Sequence, residues 1–118
     1  MEFELTDEQE LIRDSVAKLC SDFPDEYWSE KDTKHEFPWD FYNAMAAAGW
    51  LGIAIPEVYG GSGRGITEAS LVLETVAASG AAMNGATPLH LSIFGMEPVI
   101  KFGSEEMKQK YLPRVANG

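Results

Sequence analysis

Apolar residues recur along the chain at spacings of three and four, broken by short polar or glycine-rich stretches, and this rhythm predicts a succession of amphipathic helices. The first opens on Thr6-Asp7-Glu8-Gln9, which has the form of a capping box: the Thr6 side chain accepts near Gln9 while the Gln9 side chain reaches back. Leu11, Ile12, Val16, Leu19, Cys20 and Phe23 make its apolar stripe, and Pro24 ends it. Residues 25–33 predict a short second helix that offers Tyr27 and Trp28 for packing. Pro38 suits the first position of a third helix through Phe41, Met45 and Ala48, closed by Gly49 in the left-handed conformation.

A short apolar run from Trp50 to Ile55 is closed by Pro56, and a glycine-rich loop follows from Gly60 to Gly65. Thr67 is placed to cap a fourth helix through Leu71, Val72, Leu73 and Val76 to Gly80, apolar nearly all round and therefore central. Its Leu-Val-Leu run suits a buried strand by periodicity alone, but the length from Thr67 to Ser79 favours helix. A fifth helix is expected from Thr87-Pro88 to Phe102, kinked at Gly95 and Pro98 and closed by Gly103. Ser104 caps a sixth, with Glu105 and Glu106 in its first turn, Glu106 paired to Lys110, and Met107, Tyr111 and Val115 facing inward. The predicted fold is all-α, a bundle-like orthogonal array of about six helices in one domain, residues 1–118.

Charge changes this picture. Residues 1–40 carry 13 acidic and 4 basic groups, whereas 41–100 carry only Glu57, Arg64, Glu68, Glu74 and Glu97. So dry a middle implies that some of its faces meet other protein. The net charge of -10 excludes a phosphate-backbone partner, so no nucleic acid is expected. A single cysteine excludes a disulfide framework and a cysteine-based zinc site. No apolar run is long enough to span a bilayer, and the acidic start Met1-Glu2-Phe3-Glu4 has the wrong sign for a leader, so a cytoplasmic home is expected.

The candidate chemistry is sparse. Gly60 to Gly65 followed by Ile66-Thr67 has the spacing of a phosphate-cradling loop, but Ile66 stands where the lysine must be, and the glycines do not form the dinucleotide fingerprint either. A tight connector between helices is the plain alternative. His35 and His90 show no metal-ligand spacing, Ser15 and Ser70 have no base signature, and Cys20 on its apolar stripe reads as a buried hydrophobe. The acidic first third reads as a solvated face before it reads as a docking surface. Thr87, His90, Leu91 and Phe94 fall at i, i+3, i+4 and i+7 and share one side of the fifth helix. Either the wall of an apolar ligand pocket or an ordinary core face with a satisfied histidine has this pattern.

Pro56-Glu57-Val58-Tyr59-Gly60-Gly61-Ser62-Gly63 resembles the P-x-x-x-G-G-x-G loop of the acyl-CoA dehydrogenase family. Gly49-Trp50-Leu51-Gly52-Ile53 before it and Gly103-Ser104-Glu105-Glu106-Met107-Lys108-Gln109-Lys110-Tyr111-Leu112-Pro113 after it are similar to stretches of that family's N-terminal helical domain. Leu5-Thr6-Asp7-Glu8-Gln9 and the Phe37-Pro38 helix start fit in the same order, so the resemblance covers essentially the whole chain.

That resemblance implies a helical N-terminal domain of a parent enzyme whose middle β domain and C-terminal helical domain follow. In the family, a glutamate of the C-terminal domain removes the α-proton of an acyl-CoA thioester and the β-hydrogen leaves as hydride to FAD, held mainly outside this domain. Electrons pass to an electron-transfer flavoprotein, and the enzyme is a homo-oligomer. No catalytic residue is therefore expected within 1–118, and this chain alone is expected to be inactive. The family's helix matching Thr87 to Phe102 borders the acyl channel, which implies Thr87, His90, Leu91 and Phe94 as substrate-binding positions; a polar ring at His90 departs from a purely apolar wall. The bulk of His90 and Phe94 hints at a short, branched or cyclic acyl group. Alternatives are an acyl-CoA oxidase or related flavoenzyme of the same superfamily, or a stand-alone helical oligomerisation module.

Overall fold

The structure, a computed structural model, describes residues 3–118. Seven α-helices follow one another: α1 Asp7–Cys20, α2 Asp25–Lys34, α3 Trp39–Ala47, α4 Ile66–Val76, α5 Ala82–Ile93, α6 Glu97–Phe102 and α7 Glu105–Ala116. Two 3₁₀ turns, Trp50–Gly52 and Glu57–Tyr59, link α3 to α4, and a π-helical turn, Ala77–Ala81, joins α4 to α5. The all-α expectation holds.

The domain measures 43 × 38 × 21 Å, and with helices about 10 Å across its thin dimension admits two layers. α4 is the centre. Val72 and Val76 are fully buried on it, and α1 packs along it through Ile12, Val16 and Cys20, which recur at every fourth residue. Beside them Phe23, Tyr27, Trp28 and Phe41 meet edge-to-face, with centroids 4.9 to 5.4 Å apart, and fix the corner where α2 meets α3. Gly85 lets α5 approach this nest, since a Cβ there would lie 3.2 Å from Trp28 and 3.1 Å from Val76. A second, smaller core of Ile55, Leu112 and Ala116 seats α7 on the 3₁₀ turns.

The α1 capping box forms as predicted, with Gln9 N donating to Thr6 Oγ1 at 3.2 Å and Thr6 N to Gln9 Oε1 at 3.1 Å. Gly49 takes the left-handed conformation. Elsewhere the boundaries shift. Leu11 is exposed, because Ile12 one position further round takes the core-facing place. α4 is capped by Gly65, not Thr67: the Glu68 carboxylate accepts from Gly65 N at 3.0 Å and from Gln9 Nε2 at 2.9 Å, tying the starts of α1 and α4 together. The expected helix from Thr87 to Phe102 is two helices, α5 starting five residues earlier and breaking at Phe94–Met96 before α6. Pro88 thus sits inside α5 rather than at its start. On α7, Met107 and Tyr111 are half-exposed while Leu112 and Ala116 hold the core, and Glu105 rather than Glu106 makes the i,i+4 contact, accepting from Gln109.

Candidate functional site: the outward face of α5

The backbone enters α5 through a strained corner. Gly80 has φ +99°, and Ala82 has φ +47° with ψ -137°, a region costly for any residue with a Cβ. From there α5 divides into two faces. Gly85, Ala86, Leu89 and Ile93 point to α4 and the core. Met83, Thr87, His90 and Leu91 stand outward, at spacings that make one strip, and Phe94 continues it half-buried against the core edge.

Leu91 is 66% exposed and Met83 69%. The core-face alternative therefore does not describe Thr87, His90 or Leu91 in this domain. The His90 and Phe94 rings lie 5.4 Å apart and tilted by 34°, one small plate at the lower end of the strip. No Asp, Glu, Lys or Arg occurs from Ala77 to Met96, so the strip carries no carboxylate, ammonium or guanidinium group. Met83 joins the strip because α5 starts at Ala82, upstream of the Thr87-Pro88 signal that marks a helix start in the sequence. On the flank, the hydroxyls of Tyr42 and Ser92 share a hydrogen bond of 2.9 Å that fixes the rotation of α5 against α3.

The glycine loop proves to be a connector. Its amides turn inward: Gly61 N donates to Pro56 O, Ser62 N to Gly52 O, Gly63 N to Ile55 O and Arg64 N to Ile53 O, at 2.8 to 3.2 Å. None of these donors is left to cradle a phosphate. A Cβ on Gly61 would lie 2.0 Å from the Ile55 carbonyl oxygen, so only glycine permits this close backbone approach. A salt bridge from Arg64 to Glu8 at 2.6 Å holds the far end of the loop to α1.

Cys20 and Tyr59 are engaged within the fold. Cys20 is buried, and burial raises its thiol above the ordinary value, partly opposed by a hydrogen bond with Ser79. Tyr59 donates to Glu105 Oε2 at 2.7 Å, which raises its pKa and pins the second 3₁₀ turn to α7. Among the described residues no three or more His, Cys, Asp or Glu side chains cluster to hold a metal, and no helix is long and apolar enough to cross a membrane. A groove of about 650 Å³ runs between α1 and α4, lined by Leu5, Ala17, Cys20 and Leu71, but it sets Asp14 and Glu74 against one cation, Arg13. That balance does not fit a dinucleotide's pyrophosphate, so the groove is no flavin site.

Among the described residues the domain is wholly helical, and the α5 strip lies on its outside. The chain belongs to the acyl-CoA dehydrogenase family: residues 6–118 match the model of the acyl-CoA dehydrogenase N-terminal domain. It is 34% identical, over 96% of its length, to acyl-CoA dehydrogenase FadE12 of Mycobacterium tuberculosis, and 31% identical over 100% of its length to acryloyl-CoA reductase (NADH) of Anaerotignum propionicum. It also superposes with a TM-score of 0.86, at 33% identity and full coverage, on a chain from the structural study of the electron transferring flavoprotein of Acidaminococcus fermentans and flavin-based electron bifurcation. The chain spans 29% of the length of both relatives and 31% of that solved chain.

Proposed function

We propose that this chain is the N-terminal wall of the acyl pocket in a flavin-dependent acyl-CoA dehydrogenase that carries out α,β-dehydrogenation of acyl-CoA thioesters. The observation that carries this reading is the outward strip of α5: Thr87, His90, Leu91 and Phe94 share one side, and the first three lie outside the core of their own domain. Family membership and the acyl-CoA names of both relatives support the substrate class.

In this reading the strip binds and excludes water. Leu91 and Phe94 cover methylenes of the acyl chain, and the His90–Phe94 plate bounds the channel's depth. The FAD that accepts the hydride belongs with the middle and C-terminal domains of the parent, as does the catalytic base, and 1–118 alone is inactive. An electron-transfer flavoprotein takes the electrons, and a homo-oligomer completes the enzyme.

The test is made on the intact enzyme. Phe94→Ala is expected to shift kcat/KM toward longer or bulkier acyl-CoA substrates, about tenfold for a chain that needs the freed volume. Unchanged relative kcat/KM across chain lengths removes Phe94 from the pocket. Rapid reoxidation of the reduced flavin by oxygen, with no transfer to an electron-transfer flavoprotein, would mark an oxidase instead.

A further inference from the structure

α5 meets irregular backbone at both ends. Its first residue, Ala82, has a positive φ and follows the π-helical turn that contains Gly80, and beyond Ile93 the helix breaks at Phe94–Met96. In its middle Pro88 has no N–H, so the rung to the Asn84 carbonyl is missing. An unbroken backbone ladder therefore does not set how this helix is turned about its own axis. Leu89 and Ile93 hold it to the core, but apolar packing is non-directional, and the other core-facing residues, Gly85 and Ala86, offer little side chain to interlock.

The directional contact is the partly buried hydrogen bond of 2.9 Å between the Tyr42 and Ser92 hydroxyls, and no other α5 side chain makes a hydrogen bond among the described residues. Tyr42 is a firm post for it. α3 is anchored by Phe41 and Met45, both fully buried, and the Tyr42 ring stands edge-on to Phe37 and Trp39 at 5.6 and 6.0 Å. Ser92 directly follows Leu91, yet it lies on the flank shared with Gly85 and Pro88 rather than on the strip. We infer that Tyr42 and Ser92 are positioning residues for acyl selectivity: their bond fixes the rotation of α5, and with it the angle at which Leu91 and Phe94 face the acyl chain. Loss of the bond lets the helix roll, so the channel no longer has one depth. This inference rests on the reading of the strip as the acyl wall.

The experiment uses the intact, flavin-loaded enzyme and butanoyl-, hexanoyl- and octanoyl-CoA, and reads the ratio of kcat/KM between the preferred thioester and the least preferred. Tyr42→Phe and Ser92→Ala each remove one hydroxyl and keep the packing, and each is expected to bring that ratio toward one, by up to about fivefold. The double variant should be no worse than either single, because all three lack the same bond. Thr75→Val removes a hydroxyl bond of the same kind, to Leu71 O at 2.7 Å on α4, and should leave the ratio unchanged. A ratio left unchanged by either single variant overturns the inference, as do effects that multiply in the double. An equal fall in Thr75→Val also overturns it, since any loosening of the domain would then suffice, and so does an unaltered enzyme without a length preference. Flavin reduced by none of the thioesters overturns the acyl-wall reading itself, and this inference with it.

Discussion

The loop from Gly60 to Gly65 and the outward strip of α5 make opposite use of their hydrogen-bonding capacity. The loop has the glycine spacing of a phosphate cradle, yet four of its amides point inward to carbonyls of residues 52–56. The strip has the spacing of a core face, yet Thr87 and His90 are exposed with no side-chain hydrogen bond among the described residues, and Leu91 is two-thirds exposed. Binding capacity belongs to groups the fold has not already satisfied, and residue type alone does not say which those are.

The sharpest way to break this contrast is at Gly61. Gly61→Val places a Cβ against the Ile55 and Gly52 carbonyl oxygens, at 2.0 and 2.6 Å on the present backbone, so the connector must move. A loss above about 4 kcal/mol is expected, read as unfolding in urea, and near-normal stability would show that the loop does not lock residues 52–56.

Two leucines on one helix make the next test. Leu89 is fully buried and Leu91 is not, so Leu89→Ala should cost about 2–5 kcal/mol while Leu91→Ala stays within about 0.5 kcal/mol and alters acyl selectivity in the intact enzyme. Equal losses would place Leu91 in a core role.

A smaller effect of opposite sign is expected at the α5 entrance. Ala82→Gly relieves the positive φ and should raise stability by about 1 kcal/mol, seen as a higher Tm. A lower Tm would show that the residue's Cβ packing outweighs the strain.

The smallest effect concerns the tie between α1 and α4. The Gln9 side-chain amide, foremost, and the Gly65 N–H hold the Glu68 carboxyl below the usual carboxylate range. A depressed folded-state pKa stabilises the fold above the unfolded value of about 4.3, and that contribution is lost as pH falls through the lower folded value. Glu68→Gln should therefore lower stability at neutral pH and flatten the acid side of the pH–stability curve. An unchanged acid limb would mean that the carboxylate contributes nothing to the junction.

Most helices were legible because their signals are local. The Thr6–Gln9 box, Gly49 and the fourth-residue stripe of α1 each depend on residues within one or two turns. What escaped depends on neighbours distant in sequence. Glu68 caps α4 with support from Gln9, 59 residues away, so Thr67 was the wrong local choice. The start of α5 lies across a π-helical turn that contains Gly80 at φ +99°, and no propensity places an alanine at φ +47° as the first residue of the helix. Leu11, Met107 and Tyr111 look like core residues in any periodic reading, but a domain two layers thick lacks the area to cover every apolar position. The α5 strip itself was visible as spacing, whereas the direction it faces follows only from the packing of Leu89 and Ile93 on the other side.

The separation of α5 into an anchored side and an outward one also bears on how such a domain changes over generations. Substitutions at Thr87 and Leu91 touch no packing that the domain needs to fold, so in the acyl-wall reading ligand preference can drift there while foldability is preserved. A lineage could retune which molecules it accepts one residue at a time, without first acquiring a stabilising mutation elsewhere.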